Sequence, residues 1–140
     1  MSRRPPVRLG LARPSAAALL VALIAGCSSP GAPSEHPLAG RWRGAATFAP
    51  STAAYRAATA DVALTVADDG TLTGTLALPG VAPAALGGAV GRDGALRVAF
   101  DRFTAEGRLH RAPRDRATGS GVQREGAATV GVITLDLSRP

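Results

Sequence analysis

Three short turns of one kind constrain this chain more than any other feature. Asp68-Asp69-Gly70, Arg92-Asp93-Gly94 and Arg124-Glu125-Gly126 each set an acidic residue and a glycine between stretches that alternate apolar and polar residues. A three-residue loop with glycine last suits a type I turn closed by a left-handed residue, which glycine adopts without steric cost. Alternation with period two marks a strand with one buried face. In residues 61–67, Val62, Leu64 and Val66 share a face, and in 71–78 so do Leu72, Gly74, Leu76 and Leu78. A three-residue loop pairs Val66 with Leu72 and Leu64 with Gly74, whereas a two-residue loop would set Val66 against Thr73 and split the apolar faces. The second turn joins 84–91 to 95–100 and sets Val90 against Leu96 and Leu86 against Phe100. The third joins 116–123 to 127–138 and sets Gly121 against Thr129 and Ala117 against Ile133.

The remaining segments extend the same pattern. Residues 41–48 put Trp42, Gly44, Ala46 and Phe48 on one face. Residues 49–60 contain Pro50, show no clear period and read as a long loop. Phe100 and Phe103 pair across Asp101-Arg102, although that dipeptide lacks the glycine a tight hairpin prefers. Residues 111–115 link 103–110 to the next strand. The expected fold class is all-β: a small antiparallel up-and-down meander of about eight strands over residues 38–140, either a barrel or a β-sandwich.

Gly40-Arg41-Trp42 resembles the Gly-x-Trp that opens the first strand of lipocalins and of avidin-like barrels. That resemblance implies a closed barrel, an Arg139 side chain stacked on Trp42, and a lid formed by the loop after the first strand. It also implies an interior that takes a small apolar ligand, with Trp42, Phe48, Phe100 and Phe103 lining it and Tyr55 on the lid. The chain is shorter than lipocalins and lacks their C-terminal helix. Seven glycines fall on the inward face: Gly44, Gly74, Gly88, Gly107, Gly119, Gly121 and Gly131. They either open space for a ligand or let strands bend and approach closely. An eight-stranded barrel is just wide enough to be filled by its own side chains or to hold one small ligand.

The N-terminal region has a different character. Residues 1–14 carry Arg3, Arg4, Arg8 and Arg13 and no acid, and residues 16–26 are an uncharged run of small and branched apolar side chains. That run is shorter than the roughly 20 residues a spanning helix needs and fits a secretory signal peptide. Ile24-Ala25-Gly26-Cys27 resembles the lipobox of bacterial lipoproteins. The resemblance implies that the Cys27 thiol takes a diacylglyceryl group, that a peptidase cuts before it, and that the new amine is acylated by a fatty acid such as palmitate. Cys27 is the only cysteine and has no disulfide partner. Residues 28–37, SSPGAPSEHP, read as a tether. The expected organisation is therefore a cleaved signal over 1–26, a lipidated cysteine and tether over 27–37, and the β domain over 38–140. Such a protein would sit on a bacterial cell membrane or outer membrane with its domain on the extracytoplasmic side.

Charge narrows the possible partners. The net charge of +6 falls to +2 once the four signal arginines leave, so nucleic acid is not an expected partner. Residues 102–116 nevertheless concentrate Arg102, Arg108, Arg111, Arg114 and Arg116 with His110, against Glu106 and Asp115. Arg108, Arg111, Arg114 and Arg116 are candidates for contact with anionic lipid headgroups, or else form a solvated strand edge charged against edge pairing. The two histidines, His36 and His110, lie far apart in sequence with no metal-ligand spacing around them. Thr118-Gly119-Ser120-Gly121 is the nearest approach to a nucleophile elbow and reads better as strand. No enzyme activity, metal or cofactor is expected. Two readings of function follow: a structural or protein-interaction module of the envelope, or a carrier of a small apolar ligand.

Overall fold

The computed structural model describes residues 35–140. The signal and lipobox residues Ile24, Ala25, Gly26 and Cys27 lie outside the described residues, as does most of the tether. Eight strands follow one another: β1 (Gly40–Pro50), β2 (Ala58–Val66), β3 (Thr71–Ala77), β4 (Ala84–Val90), β5 (Ala95–Phe100), β6 (Phe103–Ala112), β7 (Arg116–Glu125) and β8 (Ala128–Ser138). Each pairs antiparallel with the next, and β1 pairs with β8 from Arg43↔Ser138 to Pro50↔Gly131. The sheet is a closed barrel, not a sandwich, and closure leaves no edge strand to pair with another chain. The unit Glu35–Pro140 is self-contained, since every strand finds its partners and its core within it.

The first two acidic turns hold the expected registers. Val66 faces Leu72 and Leu64 faces Gly74; Val90 faces Leu96 and Leu86 faces Phe100. Gly70 and Gly94 take φ of +88° and +85°, and each preceding aspartate caps its turn. The Thr71 N–H donates to Asp69 Oδ1 at 2.8 Å and the Ala95 N–H to Asp93 Oδ1 at 3.0 Å. Phe100 does face Phe103, and in place of the missing glycine Asp101 adopts φ +49°, which aspartate tolerates better than most residues.

The third turn departs from its expected register. Gly121 faces Ile133, not Thr129, and Ala117 faces Leu137, not Ile133. Glu125 pairs with Ala128, so the connection is the two-residue turn Gly126-Ala127. Gln123 faces Gly131 while Arg124 faces Thr129, which makes Val130 the extra residue of a bulge. Val130 and Gly131 are consecutive and both buried, as a bulge requires. The long loop is also shorter than expected, spanning residues 51–57. Ala58 and Ala60 continue the inward face of β2 opposite Phe48 and Ala46, a periodicity that small residues conceal.

The two ends of the barrel differ. At one end the β2–β3, β4–β5 and β6–β7 turns gather with both ends of the described chain, and this end is sealed. Trp42, Leu72, Leu109, Leu137, Val66 and Val90 are the largest fully buried side chains. The Trp42 indole N–H donates to the Leu38 carbonyl at 2.8 Å, and the Arg139 guanidinium lies over the ring. His36 is buried here too, its Nδ1 accepting the Leu38 N–H at 3.1 Å. His36, read from sequence as tether, therefore belongs to the folded unit: it fills the space beside the β2–β3 turn.

The inward glycines serve close approach. A methyl group on Gly44 would run into the Asp136 carbonyl of β8, and one on Gly107 into the Ser120 carbonyl of β7. Strands that bend this sharply bring their backbones together and narrow the interior. Below the mouth, the enclosed space among Val62, Leu72, Leu86, Leu96 and Leu135 is only about 20 Å³.

Candidate binding site

The other end of the barrel is open and aromatic. Phe48 lies near the end of β1, Tyr55 on the β1–β2 loop, and Phe100 and Phe103 flank the β5–β6 turn. Phe48 and Tyr55 meet edge-on with ring centres 6.4 Å apart, Tyr55 and Phe103 at 6.0 Å, and Phe100 and Phe103 at 5.8 Å. These spacings lie in the range aromatic pairs favour. Around the rings is a cavity of about 190 Å³, completed by Leu76, Leu78, Ile133, Gln123 and Arg56 with small alanines between them. For scale, an apolar cavity of about 150 Å³ admits benzene.

A polar latch holds the loop across the mouth. The Tyr55 hydroxyl donates to Glu125 Oε2, and the other carboxylate oxygen pairs with Arg102 Nε at 2.7 Å. Arg102 also lies over the Phe103 ring, 5.2 Å from its centre. One carboxylate on the β7–β8 hairpin thus fixes both the lid tyrosine and the neighbouring turn.

Gln123 is a large polar side chain on the inward face of β7, one step below Glu125 and only 6% exposed. It borders the cavity, and its carboxamide makes no hydrogen bond to another described side chain. Arg56, on the lid, lines the cavity and forms no ion pair with a described carboxylate. Sequence reasoning missed both residues. Gln123 carried a signal, because it continues the inward series Ala117, Gly119, Gly121; Arg56, in an aperiodic loop, carried none.

The structure brings Phe48, Phe100, Phe103 and Tyr55 to one site and sets Trp42 apart. Trp42 was expected to line the same interior, but it is 1% exposed at the sealed end and does not border the cavity. Its Gly-x-Trp segment closes the barrel floor, because β1 begins at the end opposite the mouth.

Of the four candidate surface arginines, two are paired with carboxylates. Arg116 is bound by Asp136 at 2.6 Å, and the hydrogen bond to that carboxylate raises its pKa. Arg111 pairs with Asp115 at 3.2 Å, while Arg114 occupies the β6–β7 turn with φ +61° and Arg108 points outward from β6. Among the described residues, no three His, Cys, Asp or Glu side chains converge as a metal site would require. Comparison with known proteins gives no match: no family model fits the chain, and no curated protein or solved structure matches it.

Proposed function

We propose that this protein is a lipid-anchored envelope protein whose barrel binds one small ligand with an apolar body in its mouth. The observation that carries this reading is the aromatic cavity of about 190 Å³ at the open end, set above a packed floor. A site of this kind, apolar with a few placed polar groups, is how small-molecule sites are generally built, although this one is smaller than most. The anchor would be Cys27, and the described chain begins at the sealed end. A tether of about seven residues spans at most roughly 25 Å.

Native mass spectrometry of residues 28–140, exported in the bacterial host, tests the binding reading. A reproducible small-molecule adduct that disappears when Phe103 is changed to Ser would support it. A clean apo mass under conditions that preserve weak complexes would count against it. Membrane fractionation of the full chain tests the anchor separately: Cys27→Ser should release the protein from the membrane.

A second reading, a protein-interaction module, is favoured by one surface feature. Val122 and Val132 face each other across β7 and β8 on the outside of the barrel, 38% and 46% exposed. Crosslinking in intact envelopes from position 132 would capture a partner on this face, and a lack of adducts there would remove the reading.

A further inference from the structure

We infer that the ligand of the mouth cavity is a small monocarboxylic acid with an aromatic or short aliphatic body. This rests on the proposed binding function and specifies its ligand. Besides Tyr55, whose hydroxyl is taken by Glu125, two polar side chains border the cavity, and neither makes a side-chain hydrogen bond or ion pair with a described residue. Gln123, more than nine-tenths buried, offers two N–H donors at the cavity wall. Arg56 offers a guanidinium from the lid, in the fork geometry that suits a carboxylate.

Charge decides between an acid and other polar ligands. Two carboxylates stand at the mouth: Asp101 in the exposed β5–β6 turn, and Glu125, which is held by Arg102 and the Tyr55 hydroxyl. The loops, turns and strand ends of the mouth carry Arg56, Arg102 and Arg124 against Asp101 and Glu125, which leaves the rim net positive, with Arg56 the arginine that borders the cavity. A neutral ligand would leave that charge unused, and a cation would be repelled by it. Volume sets the body: about 190 Å³ takes a benzene-sized group and little more. The apolar part would sit among Phe48, Phe100, Phe103 and Leu78, with its carboxylate between Gln123 and Arg56. The Tyr55 lid would cover it.

The test uses residues 28–140, which contain the whole self-contained barrel, and three probes of one shape: benzoate, toluene and benzylammonium. Calorimetric or NMR titration at low salt and neutral pH should rank benzoate first, by about tenfold over toluene. Gln123→Leu should weaken benzoate about tenfold while leaving toluene unchanged or tighter. Arg56→Ser should abolish the salt dependence of benzoate binding. Far-ultraviolet circular dichroism would confirm that both variants fold. If toluene binds as well as benzoate, or if Gln123→Leu leaves benzoate unaffected, the acid assignment is overturned while the binding site stands. If none of the three binds, both the assignment and the proposed binding function fall.

Discussion

The guanidinium of Arg139 lies 4.8 Å from the centre of the Trp42 ring, and its Nη2 donates to the Ala39 carbonyl at 3.0 Å. The residue after the last strand thus clamps the first strand and the segment leading into it. Asp115 Oδ1 lies 3.8 Å from Arg139 Nε, and the Arg139 backbone N–H donates to the Asp115 carbonyl, so the β6–β7 turn joins the same clamp. Arg139→Ala should cost about 1–3 kcal/mol, from the lost ring contact and hydrogen bond. Trp42→Ala should cost about 3–5 kcal/mol, since it empties a fully buried site. Urea denaturation followed by circular dichroism measures both.

The inward glycines give a sharper contrast. At Gly44 even a methyl group meets the backbone of β8, whereas at Gly87, on the outer face of β4, nothing lies within 4 Å of an added Cβ. Gly44→Ala should destabilise by about 1–3 kcal/mol or more, and Gly87→Ala should shift stability by no more than about 0.5 kcal/mol. Thermal melts of the pair would show whether close approach, and not spare volume, is the reason for glycine at Gly44.

Tyr55 and Glu125 form the latch of the mouth. Tyr55→Phe keeps the ring between Phe48 and Phe103 and removes only the hydroxyl, so its stability cost should be about 0.5–1.5 kcal/mol. Proteolysis within residues 51–57 should accelerate in Tyr55→Phe and further in Glu125→Gln, which also weakens the hold on Arg102. Equal cleavage rates in all three proteins would mean that the aromatic contacts alone hold the lid.

The β2–β3 turn carries a pH dependence of known sign. The Thr71 backbone N–H, then its hydroxyl, holds the Asp69 carboxyl below its ordinary value of 3.8. The folded pKa is lowered, so the stabilisation is present in full above the unfolded value and is lost as pH falls through the folded one. Asp69→Ala should therefore lower the melting temperature at pH 7, with the difference shrinking below about pH 4. A difference that stays constant into acid would assign the effect to turn propensity instead of the charged hydrogen bond.

How far the sequence disclosed this molecule depended on where large apolar residues fall. Val66, Leu72, Val90 and Leu96 pinned two hairpins, because only one loop length keeps them together. From Ala117 to Gly121, β7 has only small residues inside, so nothing marked its partner. The expected register there was off by four residues at Gly121 and Ala117, a shift that preserves the inward face and that period-two reasoning cannot detect. His36 was hidden by the polar, proline-broken segment around it. The aromatic part of the candidate site was legible as Phe48, Phe100 and Phe103, but which end each residue occupies became clear only once the strands closed. That is why Trp42 was grouped with them.

The most direct test of a ligand-binding mouth above a packed floor is an NMR titration of the ¹⁵N- and ¹³C-methyl-labelled barrel with benzoate and with toluene. The expected result is saturable shifts confined to Phe48, Tyr55, Leu78, Phe100, Phe103 and Gln123, with the Trp42 indole signal unmoved. Shifts centred on Trp42 or on the outer face, or none at all with either probe, would contradict it.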